Sequence, residues 1–511
     1  MKKIIYILGI LFLGIIIILN LLFTAYLDLS EHVNISFNNW MYTIGVILVA
    51  LLVYILTKII DKFLYNNGES RLKKNLRRTL FVIVIAVYIV FNVMWLLSVN
   101  PSVVGDSVHV CNLAQTFYRN DPDQFLNNET YAGVPLKQYL EAYPQQLSLS
   151  FVYSMFFRII HFDVMEVLRI LNLVGNILIV LAIYKIGSHL SKTYKTNKVL
   201  LLTLIVTFIS LPLLSTFIYG DIPSLSLCLF SVYFMMKYTE TKKIVYPIFA
   251  SIFTMLAYLM RMNSLIFIIA TVMYLLFNLI KDFRKKEIKE KILNTAIIIM
   301  YIFISIFPST LVKNYYVEKY NLDKNKVYPN ESYLLMAMEE APRGNGWYNE
   351  PTAEAAIRNP EGIRSEYVER IKNRLGYFLQ NPGYAFNFYT MKITSMWTEN
   401  TYSAIRNNTS TENDPLEKYV EPLTFYQKAL LILTCVCSLI VLIQNRKNIS
   451  MEIIFLITIF IGGFAFHILW EAKSRYIIPY IVVLIPVAAI SINKFNIKDK
   501  LKKISLLFSK N

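Results

Sequence analysis

Long apolar runs, separated by short loops rich in lysine and arginine, extend through almost the whole sequence. Hydrophobic residues make up 56% of the 511 residues and the mean hydropathy is +0.47, which is too apolar for a soluble protein. A helical span needs roughly 20 apolar residues, so the runs predict an all-α membrane protein with about 12 transmembrane helices. The predicted spans cover residues 4–24, 40–60, 79–98, 165–184, 199–217, 222–237, 244–260, 263–280, 293–312, 426–444, 452–470 and 475–492.

The basic residues predict the orientation of these spans. With both termini inside, every strongly basic stretch falls on the inner side, as the positive-inside rule requires. These stretches are 61–78, 185–198, 237–243, 281–291, 446–447 and the tail 494–510. The formal net charge of +17 therefore reflects membrane topology, and we expect no nucleic-acid partner. The richness in Ile, Lys, Asn and Tyr is typical of a bacterium with an AT-rich genome, so we predict a multi-pass protein of a bacterial plasma membrane.

Two polar segments are too long to be simple connections. The first, 99–164, is predicted to be an outer loop that ends in an interfacial helix, because 145–162 is apolar but carries polar side chains. The second, 313–425, is predicted to be a small helical domain on the outer face. Apolar residues recur there at every fourth position from Ile363, and Asn381-Pro382 separates that helix from the next. We thus divide the chain into a two-helix addition (1–78), a transmembrane core (79–312), the outer domain (313–425) and the final helices with the tail (426–511).

Four short polar sites lie at the outer ends of predicted spans. They are Gly105-Asp106, Tyr219-Gly220-Asp221, Arg261, and the stretch from Trp470 to Tyr476, which contains Glu471, Lys473 and Arg475. Each also has a purely structural explanation. Asp106 and Asp221 suit helix caps, and Arg261 suits contact with lipid head groups. Glu471 and Arg475 are four residues apart and suit a surface ion pair on one helix face.

Together these sites place carboxylates and cations at one membrane boundary. Arginine binds phosphate oxygens through a planar fork, so Arg261 and Arg475, with Lys473, are predicted to bind a lipid phosphate. A nearby carboxylate suits the deprotonation of a hydroxyl nucleophile. The sequence has no Gly-rich phosphate loop, no His/Cys cluster with metal-ligand spacing and no nucleophilic serine motif. The pattern predicts group transfer from a phospholipid-like donor on the outer face.

In these residues the chain resembles the GT-C superfamily of integral membrane glycosyltransferases, and most of all its bacterial branch related to protein mannosyltransferases and the aminoarabinose transferase of lipid A. The likeness extends over about residues 79–492 and depends on the order of the motifs. They are Gly105-Asp106, Tyr143-Pro144-Gln145-Gln146, Tyr219-Gly220-Asp221, Arg261-Met262-Asn263, Asn381-Pro382 before Lys392 and Trp397, and Trp470 to Tyr476. Two features differ from the family: the acidic loop follows the third span instead of the first, and Asp106 is followed by Ser107 instead of a second acid.

The resemblance implies an inverting transfer of a sugar from a polyprenyl-phosphate donor, outside the cell, to a hydroxyl group of an envelope polymer, a glycolipid or a protein. It implies that Asp106 is the catalytic base. The expected substrate cavity is lined by His109, Tyr143, Gln146, Tyr219, Asp221 and Glu471. We expect no cofactor, and the sequence does not decide whether the protein needs a divalent metal.

Two other functions fit parts of the sequence. Twelve spans are also common in transporters and lipid flippases, but those proteins usually have repeated halves and broken helices at the midplane. Here we expect few such breaks, and the polar groups cluster at one face. A wall-polysaccharide polymerase or ligase would also use a lipid-linked donor, and it differs in transferring a chain instead of one sugar. The sequence separates this function poorly from a single-sugar transferase.

Overall fold

The computed structural model describes residues 2–65, 70–99, 101, 103, 105–121, 135–281, 287–409 and 415–492. The basic tail 494–510 and positions 122–134 of the first polar segment lie outside the described residues. The helices of the first part are α1 (Lys2–Leu22), α2 (Trp40–Tyr65), α3 (Arg71–Ser98), α4 (Asp106–Arg119), α5 (Leu136–Ala142), α6 (Gln146–Ile160), α7 (Met165–Leu190), α8 (Lys198–Val206), α9 (Ser210–Leu213), α10 (Asp221–Thr241), α11 (Val245–Met260), α12 (Leu265–Ile280) and α13 (Ile288–Lys319). They are followed by α14 (Asn330–Met336), α15 (Glu350–Arg358), α16 (Pro360–Gln380), α17 (Pro382–Trp397), α18 (Val420–Gln444), α19 (Met451–Leu469), α20 (Ile478–Val482) and α21 (Ile485–Ala488).

Nine helical segments of the described residues are long and apolar enough to cross a membrane. They are α1, α2, α3, α7, α8 with the turns that follow it, α12, α13, α18 and α19. Two more predicted spans, at 222–237 and 244–260, are helices α10 and α11, but they are not among these nine. Helix α10 is regular but carries several Ser and Thr side chains, and α11 has 16 residues, or about 24 Å, which is shorter than the hydrocarbon core.

The last predicted span, 475–492, is not one continuous helix. It consists of a 3₁₀ turn (Ser474–Ile477) followed by α20 and α21. Pro479 and Pro486 lack the N–H group that a continuous helix needs. The span predicted at 199–217 is also interrupted, because α8 ends at Val206 and the chain becomes helical again only at Ser210. The expectation of few helix breaks is therefore wrong for these two segments.

The membrane helices pack around α10 and α19. Helix α10 contacts α7 and α11, and α19 contacts α1 and α12. The rings of Phe12 and Phe464 stack at 4.2 Å between α1 and α19, and those of Tyr274 and Phe455 stack at 4.4 Å between α12 and α19. The first helix is therefore packed into the same bundle as the C-terminal helices.

A β-hairpin that the sequence did not predict connects α1 to α2. Strand β1 (Phe23–Leu27) pairs antiparallel with β2 (Val33–Phe37). A second, shorter hairpin, β3 (Glu340–Ala341) with β4 (Gly344–Asn345), lies in the segment predicted as an outer domain. The helices predicted on either side of Asn381 are present there as α16 and α17.

The first polar segment is more helical than expected. Asp106 was predicted in a loop, and in the structure it begins the 14-residue helix α4. Val110, Ala114 and Phe117 are buried at helical spacing, and they supply the apolar face that stabilises α4. The predicted interfacial helix is α6, which begins at Gln146 and packs against α4 and α13.

Candidate active site

Asp106 is held by two tyrosine hydroxyl groups. Gly105, at φ 59°, lets the chain turn sharply into α4 because glycine adopts positive φ without steric cost. Tyr139 donates to Oδ1 of Asp106, and Tyr219 donates to Oδ2 at 2.9 Å. Gln146 Nε2 in turn donates to the Tyr219 hydroxyl at 2.6 Å. The predicted cavity residues Gln146 and Tyr219 are thus connected to the predicted base.

Asp221 brings together the two arginines that were predicted to bind phosphate. Arg261 Nε lies 2.8 Å from Oδ1 of Asp221, and Arg475 Nε lies 3.4 Å from Oδ2. The side chain of Arg475 is only 5% exposed, so water screens this charge weakly. Gly220, at φ 78°, makes the arrangement possible, because a Cβ there would lie 2.8 Å from the carbonyl oxygen of Met260.

Tyr219 lies between the carboxylate and the cations. Its hydroxyl donates to Asp106, while Cζ of Arg261 lies 4.4 Å from the centre of its ring. Burial, and then the Asp106 carboxylate, raise the pKa of Tyr219 well above its usual value, so the hydroxyl stays protonated and acts as a donor. Cζ of Arg475 lies 4.0 Å from the ring centre of Phe217. The predicted base and two predicted phosphate ligands therefore meet at one tyrosine.

A narrow cavity extends from this arginine pair between α10, α12 and the broken C-terminal segment. Its polar wall contains Asp221, Arg261 and Arg475. Its apolar wall contains Leu214, Ile222, Leu225, Phe267, Ile478 and Pro479. The cavity thus joins two cations to an apolar surface, the combination that a phosphate with an attached hydrocarbon chain requires.

Lys473 has an acidic partner from a distant part of the chain. Its Nζ lies 2.9 Å from Oε1 of Glu31, at the end of the first hairpin, and Arg343 pairs with the other carboxylate oxygen. Of the three predicted phosphate-binding cations, Arg261 and Arg475 are therefore together, whereas Lys473 belongs to a neighbouring ionic cluster.

Glu471 does not pair with Arg475, and the expected surface ion pair between them is wrong. Arg475 turns instead to Asp221, because the residues from Ser474 form a tight 3₁₀ turn instead of an extended α-helix. No Lys, Arg or His side chain among the described residues lies within ion-pair distance of Glu471. Burial raises the pKa of its carboxyl group, Lys473 lowers it, and the carboxylate of Asp106 raises it further.

Aromatic rings connect the remaining predicted cavity residues. The His109 ring lies 4.8 Å from that of Tyr139, and Tyr139 lies 5.0 Å from Tyr143. The row continues through Tyr328 and Tyr333 to Trp470, with successive ring centres 4.8–4.9 Å apart. It links the Asp106 helix to the residue before Glu471. His109 and Tyr143 therefore belong to the same wall.

Two buried charged residues support the 470–475 stretch. Lys392 is fully buried, and its Nζ donates to the carbonyl oxygens of Ala337, Ile468 and Trp470 at 2.8–2.9 Å. Burial lowers its pKa to about 7. Glu399, also buried, accepts a hydrogen bond of 2.6 Å from the Ser474 hydroxyl. Lys392 was one of the residues that carry the resemblance, but nothing in the sequence identified its partners or the role of Glu399.

No group of three or more His, Cys, Asp or Glu side chains suited to a metal ion occurs in the part of the chain that the structure describes. The four cysteines are all buried and unpaired.

Residues 146–307 match the family described as dolichyl-phosphate-mannose-protein mannosyltransferase. No curated protein sequence matches the chain. Among solved structures, the chain is similar to the oligosaccharyltransferase of Archaeoglobus fulgidus in the apo form, with 15% identity, a TM-score of 0.43, and coverage of 83% of this chain and 52% of that one. It is also similar to ArnT from Cupriavidus metallidurans bound to undecaprenyl phosphate, with 12% identity, a TM-score of 0.35, and coverage of 80% and 77%. The chain spans about half the length of the archaeal enzyme.

Proposed function

We propose that this chain is a membrane glycosyltransferase of the GT-C type, which transfers a sugar from a polyprenyl-phosphate donor to a hydroxyl group of a cell-envelope acceptor, with inversion, on the outer face of the membrane. The family that matches residues 146–307 is named for a sugar linked to a lipid phosphate, which supports a donor of that class. The acceptor classes consistent with the proposal are an envelope polymer, a glycolipid and a protein.

One observation carries the proposal: Tyr219 contacts both the carboxylate of Asp106 and the guanidinium group of Arg261. Transfer to a hydroxyl needs a base on the acceptor side of the reacting carbon and cations around the leaving phosphate. Asp106 is the proposed base, and Arg261 and Arg475, which both pair with Asp221, are the proposed cations. Tyr219 lies between the base and the cations. The apolar wall beyond the arginines suits the lipid part of the donor.

The proposed reaction needs one base and no general acid. Asp106 takes the proton from the acceptor hydroxyl while its oxygen attacks the anomeric carbon of the sugar. The bond from that carbon to the phosphate oxygen breaks on the opposite face, and the phosphate leaves with the electron pair. Phosphate gains negative charge in this step, and Arg261 and Arg475 stabilise that charge where it develops.

The distribution of basic residues supports an outward-facing site. If α10, α11 and the broken final segment are counted as crossings, the chain crosses the membrane twelve times with both ends inside. Asp106, Arg261 and the 470–475 stretch then lie on the outer side, in the region where polyprenyl-linked sugars are consumed.

The proposal is tested with Asp106→Asn in purified protein, a synthetic polyprenyl-phosphate sugar and crude envelope acceptor. The amide keeps the shape of the side chain but cannot accept the proton, so turnover should fall roughly 10²–10⁴-fold while donor binding remains. Donor binding and melting temperature are measured on the same preparation, so that a folding defect is recognised. A folded Asp106→Asn protein with wild-type turnover would contradict the assignment and direct attention to Glu471 or Asp221.

A further inference from the structure

The turn of the first hairpin lies next to Lys473, and hydrogen bonds within the turn fix its shape. Asp28 Oδ1 accepts hydrogen bonds from the N–H groups of Ser30 and His32 at 2.8 and 2.9 Å. These bonds stabilise a tight turn in which Glu31 adopts a φ of 62°. The N–H of Val33 donates to the Arg343 carbonyl at 2.9 Å. The backbone therefore fixes the position of Glu31.

The base of the hairpin is also fixed to the rest of the protein. Nζ of Lys428, on α18, donates to the Thr24 hydroxyl at 2.7 Å and to the Phe23 carbonyl. The N–H of Ala25 donates to the Thr398 carbonyl at 3.3 Å. Both ends of the hairpin are therefore held by hydrogen bonds to distant segments of the chain.

Glu31 forms one ionic cluster with Lys473 and Arg343. The Glu31 side chain is 15% exposed, and Lys473 is 17% exposed, so these charges interact with little screening. Burial raises the pKa of Glu31, but Lys473, Arg343 and Arg475 together lower it more, to about 2. Glu31 is therefore ionised at physiological pH. Lys473 is two residues before Arg475 in the chain, so this cluster lies beside the arginine pair on Asp221.

We propose that Glu31 shifts the preference of the site away from doubly charged lipid phosphates and toward singly charged phosphodiesters, by cancelling one positive charge. This inference depends on the proposed function. Asp221 offsets one of the two arginines, and Glu31 offsets one of Lys473 and Arg343. Each cluster then keeps one positive charge. Without Glu31, both Lys473 and Arg343 would lack this counter-charge.

The charge change during the reaction explains why this preference is useful. The donor phosphate is a diester with one negative charge. When the bond to the sugar breaks, the phosphate becomes a monoester, which carries about −1.5 to −2 at pH 7. A strongly cationic site would hold this product more tightly than the donor and slow its release. Glu31 weakens that hold, and it is a positioning residue because it acts through Lys473 and Arg343.

The experiment compares wild type with Glu31→Gln, using farnesyl phosphate as the doubly charged probe and its methyl diester as the singly charged probe. Loss of one nearby charge should strengthen farnesyl phosphate binding on the order of tenfold and diester binding by less. With the full donor, kcat should fall because product release slows, and KM should fall with it, so that kcat/KM changes little. The added affinity should also depend more steeply on salt.

Two variants separate charge from structure. Asp28→Asn removes an exposed carboxylate from the same turn, and its amide oxygen can still accept the two N–H bonds, so the ratio of the two affinities should stay at the wild-type value. Lys473→Met added to Glu31→Gln should return the ratio toward wild type. If both probes bind wild type and Glu31→Gln leaves their ratio unchanged, or weakens both equally, the charge-setting role is overturned. If wild type binds neither probe, the proposed function itself fails, and this inference fails with it.

Discussion

At the scale of single residues, the carboxylate of Asp221 allows the guanidinium groups of Arg261 and Arg475 to lie close together. Guanidinium groups this close repel each other, and a shared carboxylate removes most of that repulsion. The pair still has one net positive charge. Burial lowers the pKa of Arg261, but Asp221, Tyr219 and Tyr476 together raise it by more, and the net shift is upward. Arg261 therefore stays charged, as the proposed contact with a phosphate requires.

Arg475→Lys should reduce turnover roughly 10²–10³-fold, close to the loss expected for Arg475→Ala. A lysine has a single ammonium group and cannot bridge Asp221 and a phosphate oxygen with a planar fork. Turnover of purified protein with a saturating donor measures the effect. Arg364→Lys, at an exposed position paired with Glu331, is the matched control and should be neutral. Near-normal turnover of Arg475→Lys would remove Arg475 from the phosphate site.

Glu471 differs from Asp221 and Glu31 because no Lys, Arg or His among the described residues lies within ion-pair distance of it. Its pKa is raised, first by burial, which means that folding is penalised when the group is ionised. This penalty is absent at a pH below the usual carboxyl pKa and grows as the pH rises.

Glu471→Gln should therefore raise the melting temperature at pH 7.5 and leave it unchanged at pH 4, where both side chains are neutral. Thermal unfolding in detergent at the two pH values measures the difference. The exposed Glu361→Gln variant should show no such pH dependence. An equal shift at both pH values would show that packing, and not charge, explains the effect of the substitution.

At the scale of elements, α17 connects the chain just before β3 to the end of α19. Lys392 achieves this coupling with three hydrogen bonds to carbonyl groups, one on the chain before β3 and two at the end of α19. A carbonyl at the end of a helix has no partner within that helix. The lysine therefore stabilises the junction from which Glu471 and Arg475 follow.

Lys392→Met should destabilise the protein by about 3 kcal/mol, because it leaves three buried carbonyl oxygens without a donor. The melting temperature in detergent is the measurement, with Lys372→Met, exposed on the adjacent helix α16, as the control. A smaller loss of stability accompanied by a large loss of activity would instead indicate that Lys392 acts mainly on the geometry of the 470–475 stretch. An unchanged melting temperature would contradict the stabilising role.

Local sequence patterns predicted most of the helices but few of the partnerships within the site. Apolar runs gave the positions of α1 to α3, and Asn381-Pro382 gave the boundary between α16 and α17. Arg261 was predicted to bind a phosphate or to contact lipid head groups, and its pairing with Asp221 was not predicted. The pairs Arg475–Asp221 and Lys473–Glu31 join residues hundreds of positions apart. No local periodicity specifies such pairs, so a spacing of four residues favoured the incorrect partner for Arg475.

At the scale of the whole molecule, the proposed orientation can be tested by labelling. All four native cysteines are buried, so the background reaction with an impermeant thiol reagent should be low. A cysteine at Asn321 should react in intact cells, whereas a cysteine at Asn75 should react only after lysis. Both positions are exposed in the structure. Labelling at Asn75 but not at Asn321 in intact cells would reverse the orientation.

The packing of the first helix determines when the bundle can be completed during synthesis. The carbonyl oxygen of Asn20 accepts a hydrogen bond from Lys428, 408 positions later, and α1 packs against both α18 and α19. Ribosomes add about 5–20 residues per second, so α1 waits roughly 20–80 s in the bilayer before its partners are made. Its last carbonyl groups must meanwhile be satisfied by water, lipid head groups or an insertion factor. Translation that stops before α19 therefore yields an open bundle without an assembled site.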